Sequence, residues 1–364
     1  MKGKRLLVVF AGAVFGLTGV LLVRLGNPPN MGICIACFLR DIAGSLGLHR
    51  TAIVQYMRPE IPGLVLGAFT AALAAREFRA VGGSATFTRF ILGMTAMLGM
   101  LVFLGCPLRA LLRLAGGDLN ALLGLAGLFA GVSAGAFFIS RGFTLGRAAP
   151  QKNFHGYVFP ALFLVFLSLL ALRPPLLFFS KEGPGSLHAP FFISLGAGIL
   201  LGILAQRSRL CTIGGIRDFL LFRDPHLLYG FLALFGTALL ANLALGSFKP
   251  GFTDQPVAHS DGLWNFLGMA LAGWCSALLG GCPLRQLVAA GEGNTDCAAT
   301  VLGLLFGAAL AHNLGFAASA KGVPPSAQAA VIFGFLVVLL ISVLNSSLFT
   351  IFAKKKGDLD VQGN

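Results

Sequence analysis

Long apolar runs separated by short polar segments dominate the hydrophobic pattern of this chain. Ten of these runs approach the roughly 20 residues that a helix needs to cross a bilayer. They lie near residues 5–25, 61–78, 88–105, 119–140, 156–178, 189–206, 227–247, 262–281, 297–318 and 327–352. The pattern predicts an all-α, polytopic integral membrane protein with about ten transmembrane helices.

Four further apolar pieces are too short to span a membrane. They lie near residues 31–48, 106–116, 211–223 and 282–291, and each begins at or just before a cysteine. Irregular backbone at membrane depth is tolerated only where protein or a watery cavity satisfies its polar groups. We therefore expect four re-entrant half-helices, two from each side of the membrane.

The cysteine-centred pieces reveal an internal duplication. Gly-Cys-Pro-Leu-Arg occurs at residues 105–109 and again at 281–285, an offset of 176 (282 − 106). Cys34 and Cys211 are each followed at +6 and +7 by Arg-Asp. Five spans in each half would insert the second copy upside down, so an inverted-topology repeat is predicted. The predicted parts of this single transmembrane domain are a first repeat (1–178), a second repeat (179–353) and a charged cytoplasmic tail (354–364).

Composition supports this class of protein. Hydrophobic residues make up 56% of the chain, charged residues only 11%, and the mean hydropathy is +0.85, all far from a soluble globule. The first apolar run is too long for a signal-peptide core and is interpreted as a first span. The acidic residues are expected mainly in loops, including Glu60, Glu77, Asp118, Asp261, Glu292 and Asp296.

The net charge of +14 is interpreted as a topology signal, and no nucleic-acid partner is predicted. Lys and Arg collect in the cytoplasmic loops of membrane proteins. With the N-terminus inside, 17 of the 27 cationic residues fall on the inner side. We therefore expect both termini in the cytoplasm.

The duplicated pentapeptide has features of a helix start that binds anions. Pro107 and Pro283 suit the first helical turn, so Cys106 and Cys282 would occupy the cap positions beside free backbone N–H groups. Gly105 and Gly281 allow the tight approach before each cap. The two cysteines are expected to meet near the middle of the membrane as one two-sided site.

The charged neighbours of the cysteines have less specific interpretations. Arg109 and Arg285 would lie about one turn inside their half-helices, where a charge must be paired or face a polar path. Arg40 and Arg217 each precede an aspartate, a pattern typical of charge-neutralising pairs.

Two other kinds of site are weighed against this one. Cys34 and Cys37 form a Cys-x-x-Cys pattern, but the βαβ context of a redox site is missing and Cys37 aligns with Gly214. The repeated cysteines of each half are 72 and 71 residues apart, in separate loops expected to enter from opposite sides, which disfavours a shared metal. No metal and no cofactor is predicted.

These motifs resemble the YeeE/YedE sulfur-transport family of bacterial membrane proteins. The segment Gln206–Phe219 is similar to the family signature around a half-helix cysteine, and residues 30–41 and 279–287 resemble the YedE-like selenium-transporter branch. The resemblance covers nearly the whole chain, from Val8 to Thr350.

The resemblance implies an inner-membrane transporter, and not an enzyme, that imports a small anion containing sulfur or selenium, such as thiosulfate. It implies a substrate path through Cys34, Cys106, Cys211 and Cys282, with no catalytic residues. A cytoplasmic sulfur or selenium carrier protein is a further candidate partner. The alternative is a membrane thiol–disulfide or sulfur/selenium-transfer enzyme that uses Cys34 and Cys37.

Overall fold

The computed structural model describes residues 2–347, and these are almost entirely helical. They contain two short strands, β1 (Val81–Gly82) and β2 (Ala149–Pro150), which pair antiparallel with Val81 opposite Pro150. The helices are α1 (Lys2–Arg24), α2 (Ile35–Ser45), α3 (Glu60–Ala74), α4 (Thr86–Phe103), α5 (Pro107–Ala115), α6 (Asn120–Ser140), α7 (Asn153–Leu172), α8 (Phe191–Ser208), α9 (Thr212–Phe222), α10 (His226–Ala244), α11 (Gly262–Leu278), α12 (Pro283–Gly291), α13 (Thr295–Asn313) and α14 (Pro325–Leu344).

The prediction of an all-α polytopic membrane protein is confirmed. Within residues 2–347, nine helical segments are long and apolar enough to cross a membrane. The span predicted over 61–78 corresponds to α3, which has only 15 residues. Such a helix is about 22 Å long, shorter than the roughly 30 Å of a hydrocarbon core. It ends early because the chain reverses at Arg76, whose φ is 55°, and continues into the charged Glu77.

The four short predicted pieces are short helices. They correspond to α2, α5, α9 and α12, of 11, 9, 11 and 9 residues. Every residue of α2 is buried, so this helix lies inside the bundle. By contrast α7, α10 and α14 expose large apolar side chains along their outer faces, as helices at a lipid boundary do. The predicted tail (354–364) and the end of the last predicted span lie outside the described residues.

Each of four helices in the first half of the chain packs along a helix of the second half. The first long helix, α1, lies along α10: a Cβ added to Gly12 would lie 1.9 Å from the carbonyl oxygen of Gly230, and one added to Gly16 would lie 2.3 Å from that of Leu234. The contacts advance in the same direction along both helices, so α1 and α10 are parallel. In the same way α3 lies along α8, α4 along α13 and α6 along α11.

The directions of these helices support opposite insertion of the two halves. Phe103, at the end of α4, contacts Gly124 near the start of α6, so two spanning helices joined there must run in opposite directions. Contacts of Gly127 with Phe266 and of Gly131 with Ala270 make α6 and α11 parallel. It follows that α11 runs opposite to its repeat counterpart α4. The repeat boundary at residues 178 and 179 stays a prediction.

Candidate functional site

The four repeated cysteines are the N-cap residues of the four half-helices. Cys34, Cys106, Cys211 and Cys282 all have extended backbone angles directly before α2, α5, α9 and α12. Two of the thiols act as caps themselves, since the Cys34 Sγ accepts the Cys37 N–H at 3.3 Å and the Cys211 Sγ accepts the Gly214 N–H at 3.3 Å. The sulfur takes the place of the side-chain oxygen that usually satisfies a free N–H there.

The cap cysteines form two buried thiol pairs, one in each half of the chain. The Sγ atoms of Cys34 and Cys106 are 3.8 Å apart, and those of Cys211 and Cys282 are 3.7 Å apart. All four residues are at most 4% exposed. The wide sequence separation of the two cysteines of each half therefore does not keep their thiols apart, and entry of their loops from opposite sides stays a prediction. The two half-helices of one half meet at their N-termini, although 72 or 71 residues separate their cysteines.

The expectation that Cys106 and Cys282 meet as one two-sided site stays a prediction. Each of them has the first cysteine of its own half as its thiol neighbour. Within residues 2–347, no three His, Cys, Asp or Glu side chains converge as metal ligands would. Among the described residues the four cap thiols thus form two close pairs, one in each half of the chain.

The glycine of each pentapeptide lies close to the side chain of the arginine four residues later. Pro107 and Pro283 are the first residues of α5 and α12, where a missing N–H is not needed. A Cβ added to Gly281 would lie 2.9 Å from the Cγ atom of Arg285 and 3.5 Å from the Sγ atom of Cys211. Gly105 is crowded in the same way, at 3.0 Å from the Cδ atom of Arg109. Because glycine has no Cβ, the methylene groups of Arg109 and Arg285 can pack against Gly105 and Gly281, and the Cys211 thiol can also lie against Gly281.

Cys37 lies in the first turn of α2, directly after the Cys34 cap, and its thiol has polar neighbours outside that turn. Its Sγ atom is 3.9 Å from the Leu104 carbonyl oxygen and 3.4 Å from Arg109 Nη1. Cys106 is a further thiol neighbour of Cys34, with its Sγ atom 3.8 Å away. The Cys-x-x-Cys pattern therefore reflects two positions on the first turn of α2.

The Arg-Asp neighbours form ion pairs, as their sequence pattern indicates. Arg40 Nη2 lies 2.7 Å from Asp41 Oδ1, and Arg58 Nη2 lies 2.8 Å from Asp41 Oδ2. In the second half Arg217 Nη2 lies 2.8 Å from Asp218 Oδ1, at partly exposed positions. Both pairs lie near the middle of their half-helices, one in α2 and one in α9, where they neutralise the arginine charge.

The two pentapeptide arginines have different surroundings. Arg109 is fully buried and donates hydrogen bonds to the carbonyl oxygens of Asn30, Leu104 and Val257. Arg285 is partly exposed and forms an ion pair with Glu292, with its Nη1 and Nη2 atoms 3.2 and 3.1 Å from the two carboxylate oxygens. Identical sequences thus give one arginine bonded to backbone and one neutralised by a carboxylate.

Two cavities open near the thiol pairs, at opposite ends of α1. The Arg24 cavity, of about 420 Å³, includes Arg24, Asn30, Leu112 and Lys249 among its lining residues, and Asn30 also binds Arg109. The Arg209 cavity, of about 530 Å³, lies beside the segment that leads to Cys211 and is lined by Lys4, Leu7, Glu77, Arg207, Ser208, Arg209, Asp218, Asp224, His226 and Leu227. The Arg24 cavity includes Gly32, two residues before Cys34, and the Arg209 cavity includes Arg209, two residues before Cys211, so each lies beside the segment that leads to one thiol pair.

The sequence pattern missed the ionic network beside the Arg209 cavity. Arg209 bridges Glu77, at 2.9 Å, and Glu292, at 2.6 Å. The side-chain amide of Gln206 donates to Glu77, and this hydrogen bond, helped by Arg209 and Arg207, lowers the pKa of the Glu77 carboxyl. Arg24 and Lys249 were missed as well, because single cations beside spans are common topology determinants.

Part of the chain matches a known protein family. Residues 207–361 match the sulphur transport family. The match, which begins four residues before Cys211, confirms the predicted resemblance to the sulphur transport family over these residues, while the selenium-transporter branch stays a prediction. No curated protein matches the chain.

The sulphur transport match covers the second half of the chain and includes one complete thiol pair, Cys211 with Cys282. The first half is linked to it by the repeated motif and by the exchanged helix packing. The match supports a sulfur transporter, and a transport family is consistent with a protein that is not an enzyme. With nine segments able to cross a membrane in residues 2–347, the protein is a multi-pass membrane protein.

Proposed function

We propose that the protein imports a small anion that contains sulfur or selenium, of the thiosulfate kind, through a central path lined by its two thiol pairs. The observation that carries this proposal is the placement of Cys34, Cys106, Cys211 and Cys282 as buried caps of half-helices. The sulphur transport match supports it independently.

The chemistry of a cap pair suits such an anion. A helix N-terminus carries a partial charge of roughly +0.5, so two half-helices that begin side by side supply about one positive charge. Each pair also presents two polarisable sulfur atoms, 3.8 or 3.7 Å apart. An S–H group can donate to the soft terminal atom of the anion, while the helix ends offset its charge. No covalent bond to the protein is needed.

The direction and cellular setting belong to the same proposal. The excess of cationic residues on the predicted inner side supports a bacterial inner-membrane location with both termini in the cytoplasm. The Arg24 cavity would then face the outside and the Arg209 cavity the cytoplasm. A cytoplasmic sulfur or selenium carrier protein stays a predicted partner.

The alternative thiol-transfer enzyme has less support. It requires an attacking thiolate with a resolving thiol in reach. Cys37, the resolving partner that the sequence suggested, has its Sγ atom beside the Leu104 carbonyl and Arg109. The Cys34–Cys106 pair has the required proximity, so the experiment must separate transport from chemistry.

The test is uptake into proteoliposomes of radiolabelled thiosulfate, and of selenite in a parallel series. We expect Cys106→Ala and Cys282→Ala each to reduce initial uptake on the order of tenfold or more, since each removes a hydrogen bond to a charged ligand. Cys275→Ala is the matched control, because Cys275 is a buried cysteine of α11 outside the half-helices.

Full uptake by both half-helix variants would contradict the thiol-lined path. Release of sulfite from thiosulfate by the purified protein, lost in Cys34→Ala, would instead favour the enzyme. Uptake of selenite but not thiosulfate would assign the selenium branch.

A further inference from the structure

The four buried arginines of residues 2–347 differ in how their charge is neutralised. Arg40 and Arg58 share Asp41, and Arg113 Nε lies 2.6 Å from Asp118 Oδ2. Within the described residues Arg109 has no carboxylate within 4 Å, although it is fully buried. A buried charge without a counterion is costly, and it is usually found paired or at a site that receives an ion.

Arg109 is held firmly by neutral groups. Its Nε atom lies 2.7 Å from the Asn30 carbonyl oxygen, its Nη2 atom 3.1 Å from that of Val257, and its Nη1 atom donates to Leu104. These bonds satisfy the donors and fix the guanidinium group, but they supply no negative charge. The position is therefore ordered in advance and still carries its full charge.

This charge is part of the first thiol site. Arg109 Nη1 lies 3.4 Å from Cys37 Sγ, and the Cys37 N–H donates to Cys34 Sγ, which is 3.8 Å from Cys106 Sγ. Arg109 also lies one turn after the Cys106 cap on the same half-helix. Three thiols and one uncompensated cation thus gather at one end of α2 and α5.

The second thiol site lacks counterparts of both the third thiol, Cys37, and the uncompensated cation, Arg109. Gly214 stands where the first half has Cys37, so no third thiol is present. Arg285, the counterpart of Arg109, is neutralised by Glu292, and Glu292 also binds Arg209. Two sites related by the repeat therefore differ by about one full charge.

The two cavities also differ in the charge of the residues that line them, and the cavity near the first thiol site is the more positive. The described residues that line the Arg24 cavity include two cations, Arg24 and Lys249, and none of them is acidic. The Arg209 cavity holds three cations (Lys4, Arg207 and Arg209) and three carboxylates (Glu77, Asp218 and Asp224). The amide nitrogen of Asn30, a residue that lines the Arg24 cavity, is buried without a partner. An anion is attracted to the first cavity and much less to the second.

We propose that Arg109 is the charge-compensating residue for the transported anion, which makes Cys34–Cys106 the tight binding site and Cys211–Cys282 the weak site from which the anion leaves. This inference rests on the proposed function and deepens it. The preferred ligand is an anion with a soft sulfur or selenium terminus whose charge replaces the missing carboxylate of Arg109. A tight site beside the cation-lined cavity loads the anion at that end of the bundle, and the electrochemical gradient of the anion sets the direction of net movement.

The experiment measures thiosulfate binding to the purified full-length protein by titration calorimetry. We expect Arg109→Gln to weaken binding at least about tenfold, because one charge at close range in a dry site is worth more than an order of magnitude. Arg109→Lys keeps the charge and should lose less. Arg285→Gln, the same change in the other repeat, should lose at least about tenfold less than Arg109→Gln.

A second variant keeps the inference testable if Arg109→Gln does not fold. Cys37→Asp places a carboxylate beside Arg109 and neutralises it as Glu292 neutralises Arg285. We expect this variant to fold and to lose binding as Arg109→Gln does, while Cys37→Ser, which adds no charge, loses much less.

Wild-type affinity in Arg109→Gln or Cys37→Asp, with binding lost in Cys106→Ala, would overturn the assignment of Arg109 and leave the transport proposal standing. No binding and no uptake by the wild-type protein would overturn the transport proposal itself.

Discussion

Asp118 shows how a single residue changes meaning between sequence and structure. It follows α5 in a polar turn, and the sequence pattern places such an acid in a solvated loop. In the structure it is fully buried, accepts from Arg113 and from the backbone N–H of Asn120, and stabilises the turn into α6. Glu60 and Asp296 are buried in the same way. Sequence pattern cannot separate a solvated turn from a turn inside the bundle, because both are polar and short.

Removal of one partner of the Arg113–Asp118 pair should destabilise the protein strongly. We expect Asp118→Ala to lower the free energy of unfolding by about 3–5 kcal/mol, since it leaves a buried arginine without its counterion. Asp218→Ala, which removes the partner of a partly exposed arginine, should cost about 0–1 kcal/mol. Reversible unfolding in mixed detergent micelles measures both, and equal losses would contradict this account.

The site residues were predictable where a short motif determines the local backbone. Gly-Cys-Pro-Leu-Arg specifies a cap, a first-turn proline and an arginine one turn on, and all three are found in both copies. The partners of those residues were not predictable. The short motif does not indicate whether its arginine pairs with a carboxylate, as Arg285 does, or with carbonyl groups, as Arg109 does. The carbonyl groups that bind Arg109 belong to residues between 5 and 148 positions away.

At the scale of elements, the half-helices bring together residues that sequence separates. Each short helix starts inside the bundle at a cysteine, so two of them from one half meet at their N-termini. The sequence predicts the four half-helices from their length and from the repeated cysteines. It does not predict which N-termini meet, because that depends on how α4 and the segment before α2 return to the same depth.

Mild oxidation tests this pairing directly. Diamide accepts two electrons and two protons from a thiol pair, and Sγ atoms at 3.8 and 3.7 Å need only a small movement to reach the bond length of about 2.05 Å. We expect peptide mass spectrometry to find Cys34–Cys106 and Cys211–Cys282 disulfides. Cys275 and Cys297, each buried in a long helix, should stay free. A predominant Cys34–Cys37 disulfide would contradict the structure.

At the scale of the whole molecule, the two halves are interleaved rather than placed side by side. The duplicated motif and the count of apolar runs predict the repeat and the opposite directions of its halves, although α3 is shorter than the span predicted for it. The exchange of partners, with α1 along α10 and α3 along α8, does not follow from them. Apolar helices with small residues on one face can pack on many others in a membrane, so the pattern leaves the partner open.

The interleaving makes one glycine of α1 critical for the contact between the halves. We expect Gly12→Val to lower the free energy of unfolding by about 1–3 kcal/mol, because its Cβ would overlap the Gly230 carbonyl oxygen. Gly236→Val, on α10 itself, is the matched control: no atom lies within 4 Å of a Cβ at that position, so a change below about 0.5 kcal/mol is expected. Thermal unfolding in detergent compares the two, and similar losses would rule out close α1–α10 packing.

The α1–α10 contact also constrains how the protein is made. Synthesis proceeds from the N-terminus, and α3, α4, α6, α7 and α8 are all inserted before α10 begins at His226. Until then α1 has no permanent neighbour for its Gly12 face, and the first half cannot complete its own assembly. A chain that stops before His226 therefore lacks the helix against which the Gly12 face of α1 packs.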